Sequence, residues 1–387
     1  MRHLTGAGTP HAPKPKPHPL APTPLTERGN RQLWPAANRR LSRRRVLAAL
    51  PGLAFVLAAC GDSSDDKPAA TSQTNLPEIK RLTFMAGFKP QANLPFVGAY
   101  VAQEKGFFGE QRLEVDIKHA QSGEHLQLLL ANEIQVTTAN AANVVQRNEQ
   151  GLPVVAIALI GQKSEQGFAV GAASGINAIK DWAGKTFGYK GTLPTEFLAT
   201  AKAGGLDPEK VKQVRVGFDP RILSEGQVDI LAVFVSNEPD QLERIGFKTK
   251  VFDPSAYGVA ALGLTYIANK EQVLKDPDRV ERFLRAALHG IEYAAGNREE
   301  ALNIVMKYAA QEDREHQRFM MNTELDRATT DLTRANGLGW QTLDQWKALH
   351  DSLVEFGGVS KPVDYAGAFT DQFLKRIYKA GKLVWPS

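Results

Sequence analysis

From residue 80 onward, short apolar runs rich in β-branched side chains alternate with segments whose apolar positions recur every three to four residues. A period of two predicts a strand and a period near 3.6 predicts a helix, so the alternation predicts an α/β fold. The first series reads as strands at 82–85, 113–118, 134–137 and 154–160, with helices at 96–105, 124–130 and 140–149 between them. The second reads as strands at 168–172, 186–189, 213–217 and 230–235, with helical segments at 179–182, 196–203 and 220–225. Beyond Glu271 the pattern turns helical. Val280, Phe283, Leu284, Ala287, Leu288 and Ile291 line one face; Leu343, Trp346, Leu353 and Phe356 repeat the spacing, then Phe369, Phe373 and Ile377.

Two stretches fit neither series and read as crossings between lobes, one at 161–167 and one at 256–265, where Gly258 and Gly263 ease the backbone. A chain that crosses twice places 80–160 and 266–387 in one lobe and 168–255 in the other. About 330 residues also exceed what a single core usually serves. The pattern therefore predicts a two-lobed, type-II binding-protein architecture with a hinge and an interlobe cleft.

Charge changes the picture at one end. The chain of 387 residues carries a net +5, yet residues 1–59 hold ten basic side chains against the single acid Glu27. The remainder is therefore net negative, by four charges, which offers no general attraction for nucleic acid. The basic segment contains Ser42-Arg43-Arg44-Arg45-Val46-Leu47, an apolar run too short to span a bilayer, and Leu57-Ala58-Ala59-Cys60. This resembles a bacterial lipoprotein signal with a lipobox, preceded by a twin-arginine-like motif. It predicts a signal peptide over 1–59 with translation starting downstream, near Leu41. Lipidation is expected at Cys60, with a flexible tether over 60–79 and an extracytoplasmic domain held at the cell membrane. Cys60 is the sole cysteine, so intrachain disulfides, iron–sulfur clusters and cysteine-rich zinc sites are excluded.

Enzyme signatures are sparse. The chain has neither a complete phosphate-binding Gly-x4-Gly-Lys-Ser/Thr loop, since Ile179 stands five residues before Gly184 where the first glycine belongs, nor a Gly-x-Ser-x-Gly elbow. The five histidines after Cys60 show no paired spacing for a metal. No catalytic residue, metal or cofactor is expected.

The cleft is expected outside the carboxyl ends of the strands. Five loops qualify: 87–96, 122–125, 137–141 and, in the second lobe, 189–192 with 234–239, joined by Tyr257-Gly258 at the crossing. Phe88, Phe96, Tyr189, Phe234 and Tyr257 offer flat apolar faces, with core packing as the alternative for each. Gln91, Asn93, Thr138, Asn140 and Asn237 offer amides and a hydroxyl, and Glu124 an acceptor. Ser122 is a candidate cap for the helix that follows it. Lys89 and Lys190 are the only fixed cations in these loops. Bound anions usually attract arginine, whereas a neutral heteroaromatic wants stacking and amide hydrogen bonds, and the composition leans to the latter.

Pro95-Phe96-x5-Ala102-x-Glu104-Lys105-Gly106-Phe107-Phe108, followed by Leu113-Glu114-Val115, resembles the opening of solute-binding proteins related to thiamine-pyrimidine synthases. Sulfonate, nitrate and taurine receptors belong to the same group. The similarity runs through Gly123, Thr138-Ala139-Asn140 and Ile179-x2-Trp182-x-Gly184-Lys185-Thr186. It implies delivery of a small molecule to an ABC permease and its ATPase by a monomeric, membrane-anchored receptor. One branch is an enzyme with a cysteine-rich motif, which this chain lacks. Residues 88–96 with 123–129 look like the riboflavin-binding lipoproteins of flavin importers, which implies riboflavin as ligand. Thiamine-precursor receptors more often show an aromatic-Pro-Asn-x-x-His pattern in the first loop. That leaves a formylaminopyrimidine as the alternative, and an alkanesulfonate or nitrate behind it.

Overall fold

The computed structural model describes residues 78–386; the expected signal peptide over 1–59, Cys60 and most of the expected tether lie outside the described residues. Ten strands build two five-stranded sheets: β1 Lys80–Ala86, β2 Leu113–His119, β3 Val136–Asn140, β4 Val154–Leu159, β5 Gln166–Gly171, β6 Thr186–Tyr189, β7 Lys212–Arg215, β8 Ile230–Phe234, β9 Thr249–Phe252 and β10 Leu264–Asn269. The first sheet has the order β2-β1-β3-β10-β4 and the second β7-β6-β8-β5-β9. In each, three strands run parallel and the fourth is antiparallel to both its neighbours. That fourth strand is the one the chain enters directly after crossing between sheets, β5 after the first crossing and β10 after the second. The two sheets thus share one topology.

The strand β10 differs from the sequence expectation, which left 264–265 in a crossing and 266–269 unassigned. Leu-Thr-Tyr-Ile-Ala-Asn is a good strand sequence, with Tyr266 and Ile267 fully buried. The adjacent glycines obscured it. Helix Glu238–Arg244 and strand β9 were also not foreseen, and 179–182 is a single 3-10 turn. The segment over 220–225 shortens to one helical turn, Arg221–Ser224.

The larger lobe is helix-covered, and its core sets a cluster of rings, Phe84, Phe108, Tyr266 and Phe283, among aliphatic side chains. Helix Leu94–Glu104 begins with Pro95 in its first turn, where a missing N–H costs nothing. It packs on helix Pro277–Gly296, whose apolar face is the one expected from sequence. The two backbones meet at glycines: a Cβ on Gly290 would lie 2.2 Å from the carbonyl oxygen of Gly98. All six residues of β4 are buried although the strand ends its sheet. A bridge from Ala156 to Phe369 and a bond from Gln341 Nε2 to the Ala156 carbonyl (3.3 Å) cover its edge.

The smaller lobe has an aromatic core. Phe187 stacks on Phe197 at 4.1 Å between centroids, and Phe168 and Trp182 meet the same ring at 6.0 and 5.9 Å. Among the described residues, no helix is long and apolar enough to cross a membrane.

Candidate functional site at the lobe interface

The loop after β1 is held from both sides. Gly87 N donates to Thr138 Oγ1 (3.1 Å), and Ala92 N donates to Gln317 Oε1 (2.7 Å). At its end, Asn93 precedes the first turn of helix Leu94–Glu104 without capping it. Its side-chain amide is occupied elsewhere: Nδ2 donates to Glu324 Oε1 (2.6 Å), and Gln91 Nε2 donates to its Oδ1. Glu324 satisfies the helix instead, since Oε2 accepts from Leu94 N at 2.6 Å.

Glu324 belongs to helix Arg314–Ala328, which starts on a cap from Asp313 to the N–H of His316 (2.7 Å). This helix reaches across to the second sheet at several points. Ser236 Oγ, after β8, donates to Glu324 Oε1 (3.0 Å). His316 places Nδ1 2.7 Å from Asp240 and Nε2 2.9 Å from Asn237 Oδ1. Arg327 donates to Asp253 (2.7 Å) and to the backbone carbonyl of Ser164 (2.5 Å). Residues 316, 324 and 327 share one helix face because their separations are close to whole numbers of turns.

Glu165 occupies the first crossing. Its Oε1 accepts from Leu264 N (2.9 Å) in the second crossing, and Oε2 is buried without a partner. The two crossings are themselves paired, Gly263 N to the Gly161 carbonyl at 2.8 Å. Glycine is required at both places: a Cβ at either would lie 2.3 Å from Glu165 Oε1. Glu165 and Glu324 line an enclosed hollow of about 10 Å³ with Leu94, Pro95, Ile160 and Gly161, enough for about one water.

Burial pushes the Glu324 carboxyl up to about 8, and the nearby charge of Glu165 adds to the rise. Burial likewise pushes Glu165 up to about 7 and raises Glu196, which lies 3.5 Å from Ser164 Oγ. Each group is thus held toward its neutral form. They do not gather as a metal site: no cluster of three or more His, Cys, Asp or Glu suited to a metal occurs among the described residues.

The residues expected at the cleft are dispersed. Gln91, Asn93 and Asn237 join the network around Glu324 and His316. Phe88 and Phe234 are 52% and 37% exposed and free to offer a face. Tyr189 and Tyr257 are half-buried against the second-lobe core. Tyr257 also lines a groove of about 470 Å³ between helices Thr195–Ala203 and Leu343–Glu355, beside Lys202 and Phe356. Thr138 and Asn140 hold backbone, the latter accepting from Ala142 N (3.0 Å) as a helix cap.

Three expectations need correction. Phe96 is 2% exposed inside the first-lobe core, because helix Leu94–Glu104 turns that position away from the loop. Glu124 turns back on its own loop, accepting from Gln121 N (2.9 Å) and Ser122 N (2.8 Å), and these bonds pull its carboxyl down to about 2. Ser122 therefore does not cap the helix; Glu124 stands at the cap position. The loop cations are not alone either, since Arg327 arrives from the C-terminal helix. Lys89 pairs with Glu312 at 2.6 Å, and Lys190 pairs with Glu238. Glu165, Gln317, Glu324, His316 and Arg327 were missed. The only sequence signal for the last three is their shared helix face, in a stretch whose polarity hid its helical period.

Residues 93–301 match the NMT1/THI5-like family. The chain is 25% identical over 350 residues to the riboflavin-binding protein RibY of Chloroflexus aurantiacus, covering 86% of this chain and 99% of that one. It is 26% identical over 326 residues to the formylaminopyrimidine-binding protein of Halalkalibacterium halodurans, covering 80% and 95%. Among solved structures, the periplasmic aliphatic sulphonate binding protein SsuA of Escherichia coli superposes with a TM-score of 0.59 at 14% identity, covering 76% of this chain and 92% of that one. The last similarity establishes the two-lobed binding-protein fold.

Proposed function

Because the chain belongs to the NMT1/THI5-like family, we propose that it is the extracytoplasmic receptor of an ABC importer and that its solute is riboflavin. The alignment over nearly the whole length of a riboflavin-binding protein carries this reading. The interface chemistry supports it. Phe88 and Phe234 have exposed rings for an isoalloxazine, and Tyr189 and Tyr257 add half-buried rings on the second lobe. Gln91, Asn93 and Asn237 supply amides for the pyrimidine edge or the ribityl hydroxyls, and Thr138 and Asn140 frame the loops that carry them. Lobe closure around the solute would draw on its preference for the closed state. The partners on this reading are a membrane permease and its ATPase, with the receptor a monomer tethered by lipid at Cys60.

Titrating riboflavin with the purified protein should quench flavin fluorescence at sub-micromolar concentration. A second reading, a formylated aminopyrimidine, is favoured by the buried carboxyls, which suit an amino donor. Tight binding of that compound without flavin quenching would select it; tight binding of an alkanesulfonate would reject both. Binding without turnover is the expected behaviour, and product formation by the protein alone would overturn it.

A further inference from the structure

The interface has an unbalanced inventory of polar groups. Four of its cations are committed: Lys89 to Glu312, Lys190 to Glu238, Arg327 to Asp253 and Ser164, and Arg244 to Asp240 and Asp313. One of its acids is only half committed. Glu165, 3% exposed, lines the hollow, and its Oε2 is buried without a hydrogen-bond partner. Glu324, 6% exposed, faces the same hollow, and its three donors are the side chain of Asn93, the N–H of Leu94 and the hydroxyl of Ser236. Two of these belong to one lobe and the third to the other, so Glu324 bridges the lobes.

We propose that Glu165 and Glu324 form an acceptor subsite that takes N–H or O–H donors of the solute and discriminates against its phosphorylated or sulfonated forms. The inference rests on the chain being a solute receptor but not on which heterocycle it binds. An anion entering this hollow would meet two buried carboxyls, while Lys89, Lys190, Arg244 and Arg327 are already paired and Lys163 of the first crossing is exposed to solvent, so its lost hydration would be poorly compensated. A hydroxyl or amino group would instead satisfy Glu165 Oε2. Glu165 is the specificity-determining residue of the two, since its other oxygen is already used by Leu264 and its position is set by Gly161 and Gly263.

The test compares each candidate alcohol with its phosphate ester on the full-length protein. Riboflavin is set against riboflavin 5′-phosphate, and 4-amino-5-hydroxymethyl-2-methylpyrimidine against its phosphate. For whichever pair binds, measured at pH 9, above the values of about 7 and 8 at which the two carboxyls lose their protons, the alcohol should be preferred by about 100-fold or more, and Glu165→Gln should shrink that ratio by about tenfold, the size of one lost charge interaction of about 1.4 kcal/mol. Glutamine keeps the acceptor for Leu264, and an unchanged circular dichroism melt separates selectivity from misfolding. Glu324→Gln provides a second variant, with a smaller expected change because its oxygens already have partners. Equal affinity for alcohol and phosphate, or a ratio untouched by both variants, overturns the subsite while leaving the receptor reading intact. Binding of the aminopyrimidine pair alone overturns riboflavin but still measures the ratio. Tight binding of an alkanesulfonate, or of no solute in the panel, overturns both.

Discussion

The two lobes share a strand order and a crossing pattern but are stabilised by different means. The first lobe wraps its sheet in long helices whose closest contact, at Gly98 and Gly290, is backbone against backbone. The second packs a smaller sheet around stacked rings, with Phe197 touching Phe168, Trp182 and Phe187. The first core holds packed rings as well, Phe84, Phe108, Tyr266 and Phe283, so the lobes differ in the close helix contact that the first adds and not in the use of aromatic packing. The lobes differ at the interface too. The first sends in a whole helix face carrying His316, Glu324 and Arg327; the second answers with strand-end residues such as Ser236, Asn237 and Asp253.

This contrast can be broken at its strongest point by removing an aromatic ring. Phe197→Ala should cost about 3–5 kcal/mol and unfold the second lobe first, read as a loss of amide exchange protection over β5 to β9 before the first sheet is affected. Gly290→Ala should cost the first lobe about 1–3 kcal/mol in denaturant titration, because the new methyl collides with a carbonyl that cannot move without its helix. A mutant as stable as the parent would show that the helices can separate freely.

The interface itself is predicted to respond to pH. Glu165 and Glu324 retain protons in the folded state at pH values where unfolded carboxyls, at about 4.3, have lost them. Their contribution is complete below that value and lost as pH rises through about 7 and 8. The thermal midpoint should therefore decline from pH 5 to pH 8.5, and Glu324→Gln should flatten the decline. A parent and variant with parallel profiles would reject the assignment. At the weak end, Lys202 and Glu355 pair across the lobes but are 64% and 53% exposed. Lys202→Ala should leave the midpoint unchanged within error, since exposed ion pairs add little.

Much of the fold is legible along the chain because strand and helix periods are local. The pattern at 280–291 identifies a buried helix face without any knowledge of its partner, and the β-branched runs mark seven of the first eight strands within two residues at each end. The exception is β3, where the expected strand ended three residues early: Thr138, Ala139 and Asn140 look like a loop but continue the ladder to β10. Helix Arg314–Ala328 escaped notice because its buried residues mix Met320, Met321, Leu325 and Ala328 with His316, Gln317 and Glu324, which breaks the apolar period. At the site, Gln91, Asn93 and Asn237 were identifiable as amides at strand ends. Phe96 was not separable from them, since a loop residue and the first turn of a helix look alike when an apolar side chain follows proline.

The sequence by itself determined the alternation of elements, the double crossing, the resemblance to a receptor family and the excess of acid after the signal segment. Those features follow from residue type and spacing over a few turns. Only the tertiary structure decided which acids matter. Glu324 becomes a partner of Leu94 across 230 residues of chain, and Glu165 is buried because Gly161 and the distant Gly263 leave room for it. Burial, desolvation and the donor that reaches a carboxyl are properties of the surroundings, and the surroundings exist only once both crossings and the C-terminal helix are in place.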